Sequence, residues 1–317
     1  MKKSLLVLVL AVLVAGCVGS QRINVDPNRG LTIISFNANP SSVNAGESVL
    51  FDIEIENIGG TTASNAQIDL FGVENQWRDS FGNPIDSTLT KELRTLKPPE
   101  PTRGVPGQRR LEQYTLITPP VPQGVSPTFT IEARVTYDYN TSGFIDIPAV
   151  SEDEWRRKQI LKETISPPTV VNSAGPIKMS METRFSPIRI DTTSDEDTEI
   201  WPLKIILQNV GDGFPITPED SETIRGAGGR ITGTIQILGP GAEFSECLGE
   251  TSGTLIDLDS TEVILKLRQD GSVPIACTIS IDKGAWGDRP EDSVKLIFEL
   301  FYRYYVSSAA SIQVTGR

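Results

Sequence analysis

The sequence predicts an all-β protein, and three observations lead to that fold class. Apolar and polar residues alternate in many segments, as in Val49 to Glu56, and this period of two is typical of strands with one buried face. The 22 prolines and 27 glycines cluster between such segments and exclude long helices. Short strands with turn signals between them favour sandwiches. We therefore expect two tandem antiparallel β-sandwiches, residues 31–150 and 177–317, joined by a short helical or extended linker over residues 151–176.

The first residues of the chain predict an export signal. The twelve uncharged residues from Leu5 to Gly16 would reach about 18 Å as a helix, against roughly 30 Å for a hydrocarbon core, so they fit a signal peptide and are too short for a membrane span. The segment Val14-Ala15-Gly16-Cys17 resembles the lipobox of bacterial and archaeal lipoproteins. That resemblance implies removal of residues 1–16 and lipid on Cys17, with residues 17–30 as a polar tether. The alternative is an ordinary secretory signal followed by a coincidental cysteine.

Charge and composition exclude several functions. The 29 basic and 41 acidic side chains give a net charge of −12, which argues against wrapping nucleic acid. The chain has no histidine, so it lacks a Ser-His-Asp triad, a Cys-His pair and histidine metal sites. Carboxylate or lysine catalysis and calcium binding remain open, but we expect no enzyme activity and no cofactor. An acidic body is repelled by an anionic bilayer, so we expect it to stand away from the surface.

The first unit reads as successive strands. After Val49 to Glu56, the segment Asn57-Ile58-Gly59-Gly60 ends a strand, and further strands are expected at residues 66–71, 114–117 and 128–139. A polar turn at Asn140-Thr141-Ser142 then precedes a last strand at residues 144–147. Asn140 is the acceptor of a glycosylation sequon, which we expect at a hairpin tip; its occupancy depends on the organism.

One helix is expected over residues 151–164. Ser151 and Glu154 have the spacing of a capping box, and acidic residues occupy the first turn. The basic triplet Arg156, Arg157 and Lys158 favours a solvated helix face over an interaction patch.

The second unit repeats parts of the first. Leu203 to Gly211 matches Phe51 to Gly59 in strand register and in the terminal Asn-x-Gly. Residues 297–304 echo residues 130–137 in the same way. The two matches lie at different separations, so a duplicated second unit would carry an insertion; the alternative is generic β-patterning. In an exported chain, Cys247 and Cys277 favour a disulfide in this unit over two free buried thiols.

The first unit also resembles a family. The segments that carry the resemblance are Asn39-Pro40, Val43, Ala45-Gly46-Glu47, Val49, Phe51, Asn57 to Gly60, Tyr114 to Leu116, Gly124 and Val135 to Tyr137. They look like the CARDB-type and related Ig-like modules of archaeal and bacterial cell-surface proteins, over residues 31–148 and more weakly over 200–315. The resemblance implies Ig-like antiparallel sandwiches used as spacer, adhesion or assembly modules. The region from Gly72 to Gln113 and the disulfide depart from that family.

Candidate chemistry is sparse. The acidic stretch 191–199 offers weak calcium ligands in Asp191, Asp195 and Asp197, although such charge runs in loops are usually only solvated. Two roles are open for the aromatic residues, lining a sugar-binding face or packing the core; these are Trp77, Phe81, Trp155, Trp201, Trp286 and Tyr302 to Tyr305. The tyrosines of the last group occupy both faces of their strand, so at least one should be exposed or covered by a partner.

These observations give two functional expectations. The first is a lipid-anchored, extracytoplasmic protein that acts as a structural, adhesion or protein-binding module of the cell envelope. Its partners would be the membrane, through lipid on Cys17, and an envelope or extracellular protein. The alternative is a lipoprotein that binds, or acts on, a carbohydrate or another small ligand.

Overall fold

The computed structural model describes residues 24–74, 76–182, 186–217, 229–259, 266–267 and 271–317. The predicted all-β class is confirmed. In chain order the strands are β1 (Leu31–Asn39), β2 (Ser42–Asn44), β3 (Ser48–Asn57), β4 (Ala63–Phe71), β5 (Arg78–Asp79), β6 (Leu89–Leu96), β7 (Arg109–Ile117), β8 (Thr128–Ser151), β9 (Thr169–Asn172), β10 (Ile177–Glu182), β11 (Ile188–Ile190), β12 (Thr198–Asn209), β13 (Phe214–Ile216), β14 (Gly229–Arg230), β15 (Thr232–Leu238), β16 (Ala242–Cys247), β17 (Glu250–Gly253), β18 (Leu255–Asp257), β19 (Lys266–Leu267), β20 (Ser272–Asp282) and β21 (Glu291–Thr315). The helices in the described residues are α1 (Glu152–Leu161), α2 (Lys283–Trp286) and a single 3-10 turn, Pro101–Arg103.

Two long antiparallel strands, β8 and β21, form what we call the spine. They pair without a break from Thr128 opposite Gln313 to Val150 opposite Glu291. The odd-numbered residues of β8 from Ile131 to Ala149 lie on the buried face, with Gly143 half-buried among them, because successive side chains of a strand point to opposite faces of the sheet. The spine therefore presents one apolar face along its length.

Two smaller sheets cover this apolar face side by side. The first has the strand order β1-β3-β7-β5 and the second the order β10-β12-β20-β16-β17. The spine itself lies inside a larger central sheet of order β18-β15-β21-β8-β4-β6, to which β2, β9, β11 and β13 add at the edges. We call the part of the molecule that consists of residues 128–137 of β8 and the layers packed on them the first half. The part that consists of residues 139–151 of β8 and the layers packed on them is the second half.

The core of each half lies between its small sheet and the spine. In the first half, Trp77 packs edge-on between Phe51 of β3 and Phe129 of β8, with ring centroids 5.8 and 5.9 Å apart. In the second half, Phe244 and Trp286 are fully buried together with Phe298 of the spine. Burial of such rings is worth roughly 2–3 kcal/mol each, and it fixes the two small sheets on the spine.

The predicted hairpin at Asn140-Thr141-Ser142 is wrong. These residues lie in the middle of β8, opposite Phe301, Leu300 and Glu299 of β21. A strand tolerates this polar triplet because successive side chains point to opposite faces of the sheet. Asn140 and Ser142 face outward, while the buried Thr141 hydroxyl lies 2.8 Å from the Tyr302 hydroxyl.

Because β8 and β21 are each continuous, each of these two strands extends through both halves. The last part of β8 belongs to the layers of the second half, and the last part of β21 pairs with the start of β8 in the first half. The predicted units at residues 31–150 and 177–317 therefore exchange strands. In addition, β2 pairs in parallel with the end of β21, which fixes the C-terminal strand against the first half.

The two halves repeat one local hydrogen-bond pattern. The Asn57 side chain accepts from Gly59 N and donates to Thr61 O, and the Asn209 side chain likewise accepts from Gly211 N and donates to Gly213 O. Thr61 N donates to the Tyr139 hydroxyl, and Gly213 N donates to the Tyr304 hydroxyl. These contacts make Tyr139 the structural equivalent of Tyr304. The sequence match between residues 130–137 and 297–304 instead aligns Tyr304 with Tyr137, two residues earlier in β8.

Helix α1 forms at the end of β8. The Ser151 hydroxyl accepts from Glu154 N at 3.3 Å, as its capping position predicts, and the helix ends at Leu161, three residues earlier than expected. The basic triplet pairs within the chain: Arg156 with Glu152, Arg157 with Glu154 and Glu163, and Lys158 with Glu291.

The N-terminal predictions fall on residues that the structure does not describe. Residues 1–16 and Cys17 lie outside the described residues. Among the residues that are described, no helix has the length and apolar character needed to cross a bilayer.

Candidate functional site

The candidate site is the outer surface of the central sheet, which no other sheet covers among the described residues. We call it the open face. It carries the even-numbered residues of β8 and the odd-numbered residues of β21, because the other set faces the two small sheets. Its two halves differ sharply in side-chain chemistry.

The end of the open face that lies farthest from the second half is polar. On β8 it begins with Thr128 and Thr130, and on β21 it ends with Ser307, Ser311 and Gln313. The spine residues at this end are short or hydrophilic, so they offer little apolar area to a partner.

The open face of the second half carries a line of side chains across five strands, apolar on four of them and interrupted by Gln236 on β15. Leu255 of β18 lies opposite Gln236 of β15, and Gln236 lies opposite Ile297 of β21. Ile297 lies opposite Phe144 of β8, and Phe144 lies opposite Val171 of β9. Directly opposed residues share one face of a sheet, so these side chains form a line. We call Leu255, Ile297, Phe144 and Val171 the apolar row.

The apolar row remains open to solvent. Leu255 is 55%, Val171 43% and Ile297 40% exposed, while Phe144 is half-buried. The Lys295 ammonium lies 5.3 Å from the centre of the Phe144 ring and places a charge at the edge of the row. The arrangement has an apolar centre and a charged rim, as protein interfaces do.

A recess of about 630 Å³ lies beside the row, where the two halves meet. Its floor contains the ion pair between Arg303 and Asp138, with Nη1 and Oδ1 3.1 Å apart. Asn140 and the 46%-exposed ring of Phe301 also line it. The recess thus combines one accessible aromatic ring with several hydrogen-bonding groups.

Near this recess, on the open face of the first half, three aromatic rings and one guanidinium group pack against one another. The Arg134 guanidinium carbon lies 4.5 Å from the ring centres of both Phe71 and Tyr305. Phe214 stacks on Tyr305 with centroids 4.9 Å apart and planes 10° from parallel. Tyr305 is therefore buried by this chain itself, which corrects the expectation that one tyrosine of its segment is exposed or needs a partner.

Beneath the recess, four tyrosines pack on the inner face of the spine. Tyr137 and Tyr139 of β8 contact Tyr304 and Tyr302 of β21, with centroids 5.9 and 6.3 Å apart. Burial raises the pKa of Tyr137, Tyr139 and Tyr302 above the ordinary value for tyrosine. All four are buried, so they stabilise the junction and are not accessible to a ligand.

The other predicted aromatic residues do not form one face. Trp77, Trp201 and Trp286 are buried, whereas Phe81 is 89% exposed in the turn after β5. Trp155 lies on α1, with the Arg189 guanidinium 5.4 Å from its ring centre.

The acidic loop 191–199 packs against a cation at the start of α2. The Asp191 carboxylate accepts from the hydroxyl and the amide of Thr193, and these hydrogen bonds lower its pKa. The Lys283 ammonium contacts the Ser194 hydroxyl, and its backbone N–H donates to Asp197 O. Asp195 lies exposed in this loop. Within the described ranges, no three His, Cys, Asp or Glu side chains are grouped to hold a metal ion.

Cys247 and Cys277 are joined by a disulfide between β16 and β20. They lie directly opposite each other in the second small sheet, with Cα atoms 4.2 Å apart. Both are buried, so the bond lies away from the open face.

Comparison with known proteins does not give this chain a family. No family model and no curated protein matches the sequence. Among solved structures, the alkylpurine DNA glycosylase AlkC of Pseudomonas fluorescens, bound to DNA with an abasic site analogue, is 12% identical over 34% of this chain and 27% of its own, with a TM-score of 0.22. A Porphyromonas gingivalis protein of unknown function is 10% identical over 80% of this chain and 84% of its own, with a TM-score of 0.18.

A third similar structure is the C-terminal globular domain of an oligosaccharyltransferase from Pyrococcus abyssi. It is 8% identical over 91% of this chain and 50% of its own, with a TM-score of 0.23. This chain thus spans about a quarter of the AlkC chain and half of the oligosaccharyltransferase domain.

Proposed function

We propose that this protein is an extracytoplasmic lipoprotein, held to the membrane by lipid on Cys17, and that its two Ig-like halves form one body that binds an envelope or extracellular protein. The lipobox-like segment Val14 to Cys17 supports the anchor, and the CARDB-type pattern of the first unit supports the module class. The observation that carries the binding role is the exposed apolar row on the open face.

The shape of the row favours a protein over a small molecule. Small-ligand sites are concave and bury most of the ligand, whereas this row runs straight across five strands of one sheet. Interfaces place apolar anchors at the centre and polar residues at the rim. Here Lys295 and Glu299 of the spine flank Ile297 on the same face.

The unbroken spine supports the same role. Paired backbone over the full length of β8 holds the open face as one surface. A rigid surface loses little conformational entropy on binding, so a modest apolar contact can contribute to affinity.

Site-specific photocrosslinking in intact envelopes tests this proposal. A photoreactive residue replaces Gln236, which is exposed within the row, and in a matched control it replaces Ser311, which is exposed on the polar half of the open face. We expect a discrete crosslinked protein from position 236 and none from position 311. The variant Ile297→Lys should abolish the crosslink, whereas Ser311→Lys should leave it unchanged. Equal crosslinking from both positions, or none from position 236, contradicts the proposal.

The recess favours a second candidate function, the binding of a carbohydrate. An exposed ring beside hydrogen-bonding side chains suits a sugar, and Phe301 with Asn140 and Asp138 supplies this combination. A glycan array with the purified protein tests it. A saccharide whose affinity falls at least tenfold in Phe301→Ala, and not in Ile297→Lys, would favour this candidate over protein binding.

A further inference from the structure

Asp26 and Pro27 lie at the middle of the molecule, beside the junction of the two halves. Asp26 N donates to Ile58 O at 2.8 Å in the first half. Pro27 O accepts from Gly175 N at 3.0 Å and from the Lys178 ammonium at 2.6 Å, next to the second half. The N-terminal segment is therefore bound to both halves where they meet.

This segment enters on the side of the two small sheets. Gly30 packs against Tyr137, and a Cβ at this position would come within 2.8 Å of the Tyr137 hydroxyl. Tyr137 lies on the inner face of the spine, so the open face is on the opposite side of the molecule.

The connection from this point to Cys17 is short. Six residues, Val18 to Ile23, separate Cys17 from Asn24. Seven Cα steps span at most about 25 Å when fully extended.

The body is long compared with this connection. From Asp138, at the junction, β8 continues ten residues to Thr128 and thirteen residues to Ser151. At about 3.3 Å per residue the spine extends roughly 30 Å to one side and roughly 40 Å to the other. An upright body would need its junction at least that far above the membrane, which is more than the connection allows.

We propose that the protein lies along the membrane, with its spine closer to the membrane plane than to the membrane normal and its open face directed away from the lipid. This inference rests on the proposed lipid anchor at Cys17. Repulsion between the acidic body and an anionic surface extends the connection but does not lengthen it beyond its contour. The lipid thus holds the molecule by its middle, and the apolar row faces outward.

Energy transfer from labels on the protein to a lipid dye tests this orientation. The natively lipidated protein is placed in phosphatidylcholine vesicles with an acceptor dye in the headgroup layer. A donor is attached through a bioorthogonal residue at Gln123, beyond the first half, or at Asp288, beyond the second half; both residues are exposed. We expect the two label heights to differ by less than about 50 Å, the difference at 45° for a spine of roughly 70 Å. A larger difference overturns the inference.

A longer connection provides the second variant. Fifteen Gly/Ser residues inserted after Ser20 should raise the height of both labels, because the connection no longer restrains the body. Unchanged heights overturn the inference. The mass of the N-terminal peptide distinguishes failure of the lipid anchor from failure of the orientation. A lipidated protein that stands upright refutes only the orientation. A protein without lipid that leaves the vesicles refutes the anchor and the orientation together.

Discussion

The buried asparagine that ends β3 gives the sharpest stability prediction. Asn57 is fully buried, and its side-chain amide donates to Leu96 O at 2.8 Å and to Thr61 O at 2.9 Å. Its side-chain oxygen accepts from Gly59 N at 3.0 Å. Asn57→Ala removes all three bonds. The Leu96 and Thr61 carbonyl groups lose this donor, whereas Gly59 N keeps its second acceptor, Gly30 O, at 3.2 Å.

The expected cost follows from the two carbonyl groups. A buried carbonyl group that loses its donor costs about 1–3 kcal/mol, so the free energy of unfolding should fall by about 4 kcal/mol in Asn57→Ala. For a chain of this size that loss lowers the Tm by about 10 °C. Calorimetry of the purified residue 24–317 body, with the wild type measured alongside, gives both quantities.

An exposed asparagine provides the control. Asn83 hydrogen-bonds to Asp79 at 3.0 Å on the surface, so Asn83→Ala should change the free energy of unfolding by no more than about 0.5 kcal/mol. If Asn57→Ala lowers the free energy of unfolding no more than Asn83→Ala does, the hydrogen bonds of the buried Asn57 side chain do not stabilise the fold as argued, and the prediction is refuted.

Two further predictions concern the disulfide and the tyrosines. The Cys247–Cys277 disulfide closes a loop with a sequence separation of 30, so its reduction should lower the free energy of unfolding by about 3–4 kcal/mol. Urea titrations with and without reductant measure this difference. An unchanged unfolding midpoint would contradict the prediction. Burial raises the pKa of Tyr139 and Tyr302 above 10.0, so the folded protein keeps protons that the unfolded chain loses. The contribution of these tyrosines to stability is therefore complete below pH 10 and falls as the pH rises above 10. Tyrosinate absorbance checks this, and full titration of the folded protein near pH 10 would refute it.

Local features of the fold were predictable from the sequence. Alternation identified strands such as β3 and β12, and the Ser151 and Glu154 spacing identified the start of α1. The pairing of Cys247 with Cys277 was predicted from an even pair of cysteines in a chain that we expect to be exported. Each of these features depends on residues that are close in sequence or on a simple count.

The continuity of the spine was not predictable in this way. Asn140 to Ser142 has the composition of a turn, and only the partner strand, about 160 residues away, shows that the chain continues straight. The buried hydrogen bond between Thr141 and Tyr302 satisfies the polar group that made a turn plausible.

The open face was also hidden in the sequence. Each member of the apolar row comes from a different strand, so no local motif contains two of them. Ile297 and Phe144 look like ordinary strand residues, and their exposure depends on which face each strand presents. An exposed surface assembled from distant strands becomes visible only once the register is known.

The identity of the N-terminus tests the central claim most directly. Mass spectrometry of the native protein, purified from membranes, should find a mature chain that begins at Cys17 and carries lipid on that residue. A native chain that begins at Met1, or an unmodified Cys17 in protein recovered without the membrane, would contradict the account.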